Sequence, residues 1–147
     1  VGAAIDPNLD TTGEDIAIAI ADDLPLASLL LVTNDWQQSL ARKLELESQG
    51  YYVVCARLAG EALQLMQRLP FDLVIVDAIL PDMHGLDLIG KIAEQDARLP
   101  IILNSRQQDL ANNFRYWAAD AVVDESSGCG PLLQDIKNLL GNRRLAH

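Results

Sequence analysis

Apolar residues in this chain fall into short unbroken runs, separated by stretches with helical spacing. Leu29-Leu30-Leu31-Val32, Leu73-Val74-Ile75-Val76, Ile101-Ile102-Leu103 and Ala121-Val122-Val123 are continuous, the mark of strands buried on both faces. Tyr51-Tyr52-Val53-Val54-Cys55 adds an aromatic and β-branched run. Between the runs the period changes. Asp35, an N-cap type, opens a helix that passes through Trp36 to about Ser48, and Gly50 stops it. Further helices are predicted over 60–69, ended by Pro70, and over 86–95, 107–117 and 132–140. The leucine stripes Leu40/Leu44/Leu46 and Leu63/Met66/Leu69 are read as core packing.

Strands alternating with helices predict an α/β fold, a parallel sheet covered on both faces and joined by right-handed crossovers. The natural assignment is a flavodoxin-like (βα)5 doubly wound sheet of strand order 2-1-3-4-5. Residues 1–25 stand apart as an N-terminal extension or linker, 26–141 form the domain, and 142–147 read as a tail or linker. Ile16, Ile18 and Ile20 alternate with alanines there, which suits an extra strand and also permits a helix. Ala21-Asp22-Asp23-Leu24-Pro25 imitates the acid-ended first strand of such folds. Starting the sheet there would leave far more chain before Tyr51 than one helix needs, and would strand the 29–32 run. Spacing selects the later register.

Composition narrows the function classes. The chain has 147 residues, half of them hydrophobic, enough for one domain with a proper core. Its longest apolar stretches are too short to span a bilayer, so no membrane partner is expected. A net charge of −10 argues against direct nucleic-acid binding, which needs a basic face. Cys55 and Cys129 have neither metal-site spacing nor disulfide density, which suits a cytoplasmic setting. The opening at Val1 and the close after Arg143-Arg144 suggest a piece of a longer protein.

Asp77 is the residue that carries chemistry. It closes the 73–76 run and is followed by Leu80-Pro81-Asp82-Met83-His84-Gly85. Open α/β sheets place their sites at the C-terminal ends of strands, and Pro81 and Gly85 break the chain into a loop. With Gly50, and Pro100 ahead of Ile101-Ile102, this resembles the receiver domains of two-component response regulators over residues 28–140. The resemblance implies that Asp77 is the phosphoacceptor position, charged by a histidine kinase or phosphotransfer protein. It also implies Mg²⁺ held by the acceptor and by acids ending the first strand. A hydroxyl ending the fourth strand and a lysine ending the fifth complete the implied set.

Ser105 matches the hydroxyl. The acid pair falls on Thr33 and Asn34, so the implied metal set shrinks to Asp35, Asp77 and the carbonyl of Asn34, giving weak Mg²⁺ binding or no cofactor. The lysine falls on Glu125. A unit charge pair about 4 Å apart is worth roughly 4 kcal/mol at an effective dielectric of 20, so an inward Glu125 would oppose a phosphoryl group, whereas a solvent-facing one would not. Arg106, directly after Ser105, is the candidate surrogate cation, or else an exposed arginine opening a helix. Val122 stands where many receivers have an aromatic switch. Three readings follow: a degenerate pseudo-receiver acting through protein contacts, a receiver phosphorylated on Asp77, and a flavodoxin-like enzyme or ligand-binding domain. The first two are not enzymes. Their partners are a kinase, a phosphotransfer protein or neighbouring domains of the same chain. Homodimerisation through the fourth helix, fifth strand and fifth helix is a further expectation.

Overall fold

Each apolar run becomes one strand of a parallel sheet. The computed structural model describes residues 25–105, 119–124 and 128–145. Along the chain these form β1 (Ser28–Val32), α1 (Trp36–Ser48), β2 (Tyr52–Ala56), α2 (Ala59–Arg68) and β3 (Leu73–Asp77). There follow α3 (Gly85–Gln95), β4 (Ile101–Ser105), β5 (Ala121–Asp124) and α4 (Cys129–Leu145). The strand order is β2-β1-β3-β4-β5, with every neighbouring pair parallel, as the flavodoxin-like assignment requires. The described sheet therefore follows the later register, with Ser28–Val32 as β1. The helix expected over 107–117, the extension before residue 25, Arg106 and Glu125 lie outside the described residues.

Strand alternation sorts the core into two layers. Leu29, Leu31, Leu73, Ile75 and Ile102 pack with Leu46, Leu132 and Ile136 on the side of α1 and α4. Leu30, Val32, Val74, Val76 and Leu103 pack with Ala59, Ala62, Leu88, Ile89 and Ile92 on the side of α2 and α3. The same two-residue period carries Thr33, Asp77 and Asn104 onto the α1/α4 side, at the C-terminal edge of the sheet. Register holds that edge level, with Asp77 opposite Asn104 and Ser105 opposite Asp124. At the other edge two carboxylates close the first rungs. Asp72 accepts the Ser28 N–H at 2.7 Å, and Asp120 accepts the Ile101 N–H at 2.7 Å.

Two stripes differ from the sequence reading. In α2 the buried residues are Ala59 and Ala62, while Leu63 and Met66 are half-buried and Leu69 is exposed. Two alanines let that helix lie close to the sheet. In α1 the core assignment fails for two of three leucines. Leu40 is 52% exposed and Leu44 60%, in one outward row with Trp36, and the buried residues are Ser39, Arg42 and Leu46. Leu46 and the aliphatic stem of Arg42 fill the inward face, Ser39 is small enough for close approach, and the helical period turns the 36/40/44 row outward.

This phase has a measurable consequence. Leu46→Ala leaves a cavity and is expected to cost about 2–5 kcal/mol in urea unfolding. Leu40→Ala and Leu44→Ala are expected to cost about 0.5 kcal/mol or less each, the range of surface substitutions. Equal losses at all three positions would contradict the observed helix phase.

Candidate functional site

The C-terminal edge of β1, β3 and β4 gathers the polar residues of the sheet. Asp77, the last residue of β3, is only 9% exposed. A buried carboxylate needs its lone pairs answered, and neutral donors from Thr33, Asn34 and Asn104 are among the groups that answer them. The Thr33 hydroxyl donates to Oδ2 at 2.6 Å, and the Asn34 backbone N–H donates to the same oxygen at 3.3 Å. Asn104 Nδ2 donates to Oδ1 at 3.0 Å. The Thr33 hydroxyl oxygen in turn accepts the Asp35 N–H at 3.3 Å, which fits its proton pointing at Asp77. Thr33 and Asn34 thus serve the Asp77 carboxylate as hydrogen-bond donors.

The other sequence-marked residues are placed as follows. Asp35 caps α1, its Oδ1 accepting the Gln38 N–H at 3.1 Å. Asn34 is exposed and reaches Asp77 through its backbone. Ser105 is buried at the end of β4, directly after Asn104. His84 is exposed at the start of α3. Among the described residues, no group of three or more His, Cys, Asp or Glu stands together as a metal-ligand cluster.

The loop after Asp77 is fixed at both ends. The Gly85 N–H bonds the Ala78 carbonyl at 2.8 Å, and the Ala78 N–H bonds the Asn104 carbonyl at 3.0 Å. A Cβ at position 85 would stand 2.2 Å from the Asp77 carbonyl oxygen, so a glycine is what allows α3 to begin against Asp77. Asp82 reaches across to α2, where Leu58 offers no capping side chain. Its carboxylate accepts the Ala59 N–H at 2.8 Å and the Gly60 N–H at 3.0 Å. The Gly60 N–H foremost, then that of Ala59, hold the Asp82 carboxyl below the usual carboxylate range.

Behind Asp77 lies a cavity of about 10 Å³, lined among others by Thr33, Ser39, Arg42, Asn104 and Leu132. That is the room of one water molecule. Arg42 is buried, and its Nη1 donates to the Gly128 carbonyl at 2.8 Å. Gly128 has φ +77°, in the left-handed region, and immediately precedes α4. At the neighbouring Cys129, burial pushes the thiol up and the Glu45 carboxylate adds to this, while Arg42 opposes it.

A family model for the response regulator receiver domain matches residues 29–123. The chain belongs to that family. Its function is that of a receiver domain in two-component response regulators. Among curated relatives, this receiver is 34% identical over 99 residues to the transcriptional regulatory protein KdpE of Mycobacterium tuberculosis, covering 67% of this chain and 42% of that protein. The receiver thus spans well under half the length of that relative. Among solved structures, it is 29% identical to the response regulator TrrA of Thermotoga maritima in complex with Mg²⁺–BeF, with TM-score 0.73, covering 78% of this chain and 99% of that one. TrrA in complex with the histidine kinase ThkA matches at 30% identity and TM-score 0.73, again covering 78% and 99%.

Three contributors to the geometry around Asp77 and its loop went unmarked in the sequence: Asn104, Arg42 and Asp82. Asn104 had a signal, since it interrupts an apolar strand on the same parity as Ile102. Arg42 sits three residues after Ser39 and four before Leu46, a helical row that hydropathy alone does not mark. Asp82 is an ordinary loop acid until its partner 22 residues away is known.

The Asp82 cap makes stability depend on pH. Its folded pKa lies below its unfolded value, so the stabilisation is present above about pH 4 and fades as pH falls through the folded pKa. Asp82→Ala should cost about 1 kcal/mol at pH 7, the ordinary worth of a cap. The gap between variant and wild type in urea midpoints should narrow by about pH 3. A gap that stays constant between the two pH values would rule out the charged cap.

Proposed function

We propose that this receiver is atypical, signalling through a standing protein surface without Mg²⁺-dependent phosphorylation of Asp77. The observation that carries the reading is the set of neutral donors on both oxygens of the Asp77 carboxylate. Mg²⁺ demands a tight octahedron of hard oxygens, usually with carboxylates among them. At the end of β1 those carboxylates are replaced by Thr33 and Asn34, and Asp35 is engaged as the cap of α1. The residues present do not fit the ion.

The same reading covers the partners. The partners are a histidine kinase, a phosphotransfer protein or neighbouring domains of the same chain, and the face that includes β5 and α4 serves output contacts and homodimerisation. Val122, 37% exposed on β5, offers no aromatic ring to turn inward, and a ligand shifts a two-state element only where a second state exists. A charge of −10 sets direct nucleic-acid contact aside for this domain. The domain is a regulatory module of the cytoplasm with no reaction of its own. The second reading, phosphorylation of Asp77, is favoured by the buried Ser105 and by the resemblance to TrrA with Mg²⁺–BeF. In that reading Arg106 stands in for the lysine that Glu125 replaces.

Amide-shift titration separates the two. Mg²⁺ is expected to bind more weakly than about 1 mM, and sub-millimolar binding centred on Asp35 and Asp77 would overturn the metal-free reading. Thr33→Asp, Asn34→Asp and Glu125→Lys together are expected to restore labelling by a small-molecule phosphodonor. Asp77→Asn is expected to leave partner affinity within about tenfold of wild type, or 1.4 kcal/mol.

A further inference from the structure

We propose that the groove between the C-terminal ends of α2 and α3 docks a partner's peptide segment in which an apolar side chain stands beside a lysine or arginine. The groove lies at the N-terminal edge of the sheet, away from Asp77, so docking there does not depend on whether Asp77 is phosphorylated. Its volume is about 380 Å³, within the range of sites that seat a ligand. Local backbone creates it. Pro70 disfavours a helical backbone at Leu69, so α2 stops there with Leu69 extended and its side chain 41% exposed. α3 stops at Gln95, with Asp96 extended at φ −150° and ψ 97°. Both helices end short of the chain that enters β3 and β4, which leaves Phe71 and Leu99 as a buried apolar floor. Half-buried Met66, with exposed Leu69 and Pro70, forms one wall.

Charge selects the occupant. Gln95 and Asp96 form the facing wall, and Asp96 is the one charged residue among the described residues that line the groove. Its Oδ1 accepts the Arg98 N–H at 3.0 Å, which fixes the carboxylate. A carboxylate has about four lone-pair sites, so acceptor capacity remains for a cation. Each helix C-terminus adds partial negative charge, and α3 carries no basic residue in its last turn to offset it. Arg68, in the last turn of α2, and Arg98, beyond α3, are exposed and screened by water. The groove is apolar within and negative at its rim, which suits an apolar residue with a neighbouring cation. Leu69, Pro70, Gln95 and Asp96 are all exposed, so the groove does not surround a small molecule as small-ligand sites do. A peptide, which keeps one side in water, fits. A second copy fits worse, because this chain carries a net charge of −10. Met66 is unbranched and adapts to the side chain it receives.

The test is an amide-shift titration of the full 147-residue chain with a blocked Gly-Lys-Leu-Leu-Lys-Gly peptide. Controls replace both lysines by glutamate or both leucines by serine. Saturable shifts at Met66, Phe71 and Leu99 are expected with the first peptide alone, at a Kd below about 1 mM. No such shifts, equal binding of either control, or shifts centred on β5 and α4 would overturn the proposal. Asp96→Asn keeps an acceptor for the Arg98 N–H and loses the charge, and is expected to weaken binding about threefold. Leu69→Ser, at an exposed position, is expected to weaken it about fivefold. Unchanged affinity in either variant also overturns the proposal; should Leu69→Ser not fold, Leu69→Ala takes its place. Hexylamine binding more tightly than the peptide would assign the groove to small amines. Concentration-dependent shifts at the same residues without peptide would assign it to a second copy. Either result overturns docking of a partner's peptide.

Discussion

The buried negative charge of Asp77 is the constraint around which this end of the molecule is arranged. A carboxylate at 9% exposure is tolerable only when both oxygens are hydrogen-bonded. The sheet supplies the donors by register. Thr33 ends β1 on one side and Asn104 stands opposite Asp77 on the other, so a donor from each flanking strand meets the carboxylate. Parallel pairing and the two-residue period suffice to bring them there, because all three side chains fall on the α1/α4 face.

The second dependence is steric and concerns the loop beyond Asp77. α3 starts so close to β3 that a methyl group at Gly85 would overlap the acceptor's own carbonyl. From that fixed point the loop extends to Asp82, which closes the open N-terminus of α2 through two backbone N–H groups. β3, the loop after it and two helices are thereby tied into one unit, on the side of the sheet opposite Arg42. On the Arg42 side, the bond to Gly128 ties α1 to the start of α4. The pocket is braced from both layers.

The replaced acids show how a departure from a family pattern changes meaning once geometry is known. On sequence, Thr33 and Asn34 are losses of charge. In the fold they become donors, one through its hydroxyl and the other through its backbone. Asp35, which survives beside them, is drawn into capping α1. Identity of residue type decided the first fact, and local helix geometry decided the second.

The strands, their order and the place of Asp77 were legible in the sequence because buried parallel strands are continuous apolar runs, and no tertiary information is needed to see them. The start of α1 and its stop were equally legible, since Asp35 and Gly50 act locally. The phase of α1 was not. Leu40, Leu44 and Leu46 are equally apolar, and only the packing of Leu46 and Arg42 against the sheet settled which row faces inward. The partners of Asn104 and Asp82 were hidden for a related reason, because they lie 27 and 22 or 23 residues away. Local pattern determined the elements and the place of Asp77 at the end of β3. Contacts between distant segments decided what surrounds Asp77, since a hydrogen bond or a buried charge has no period for a sequence to display.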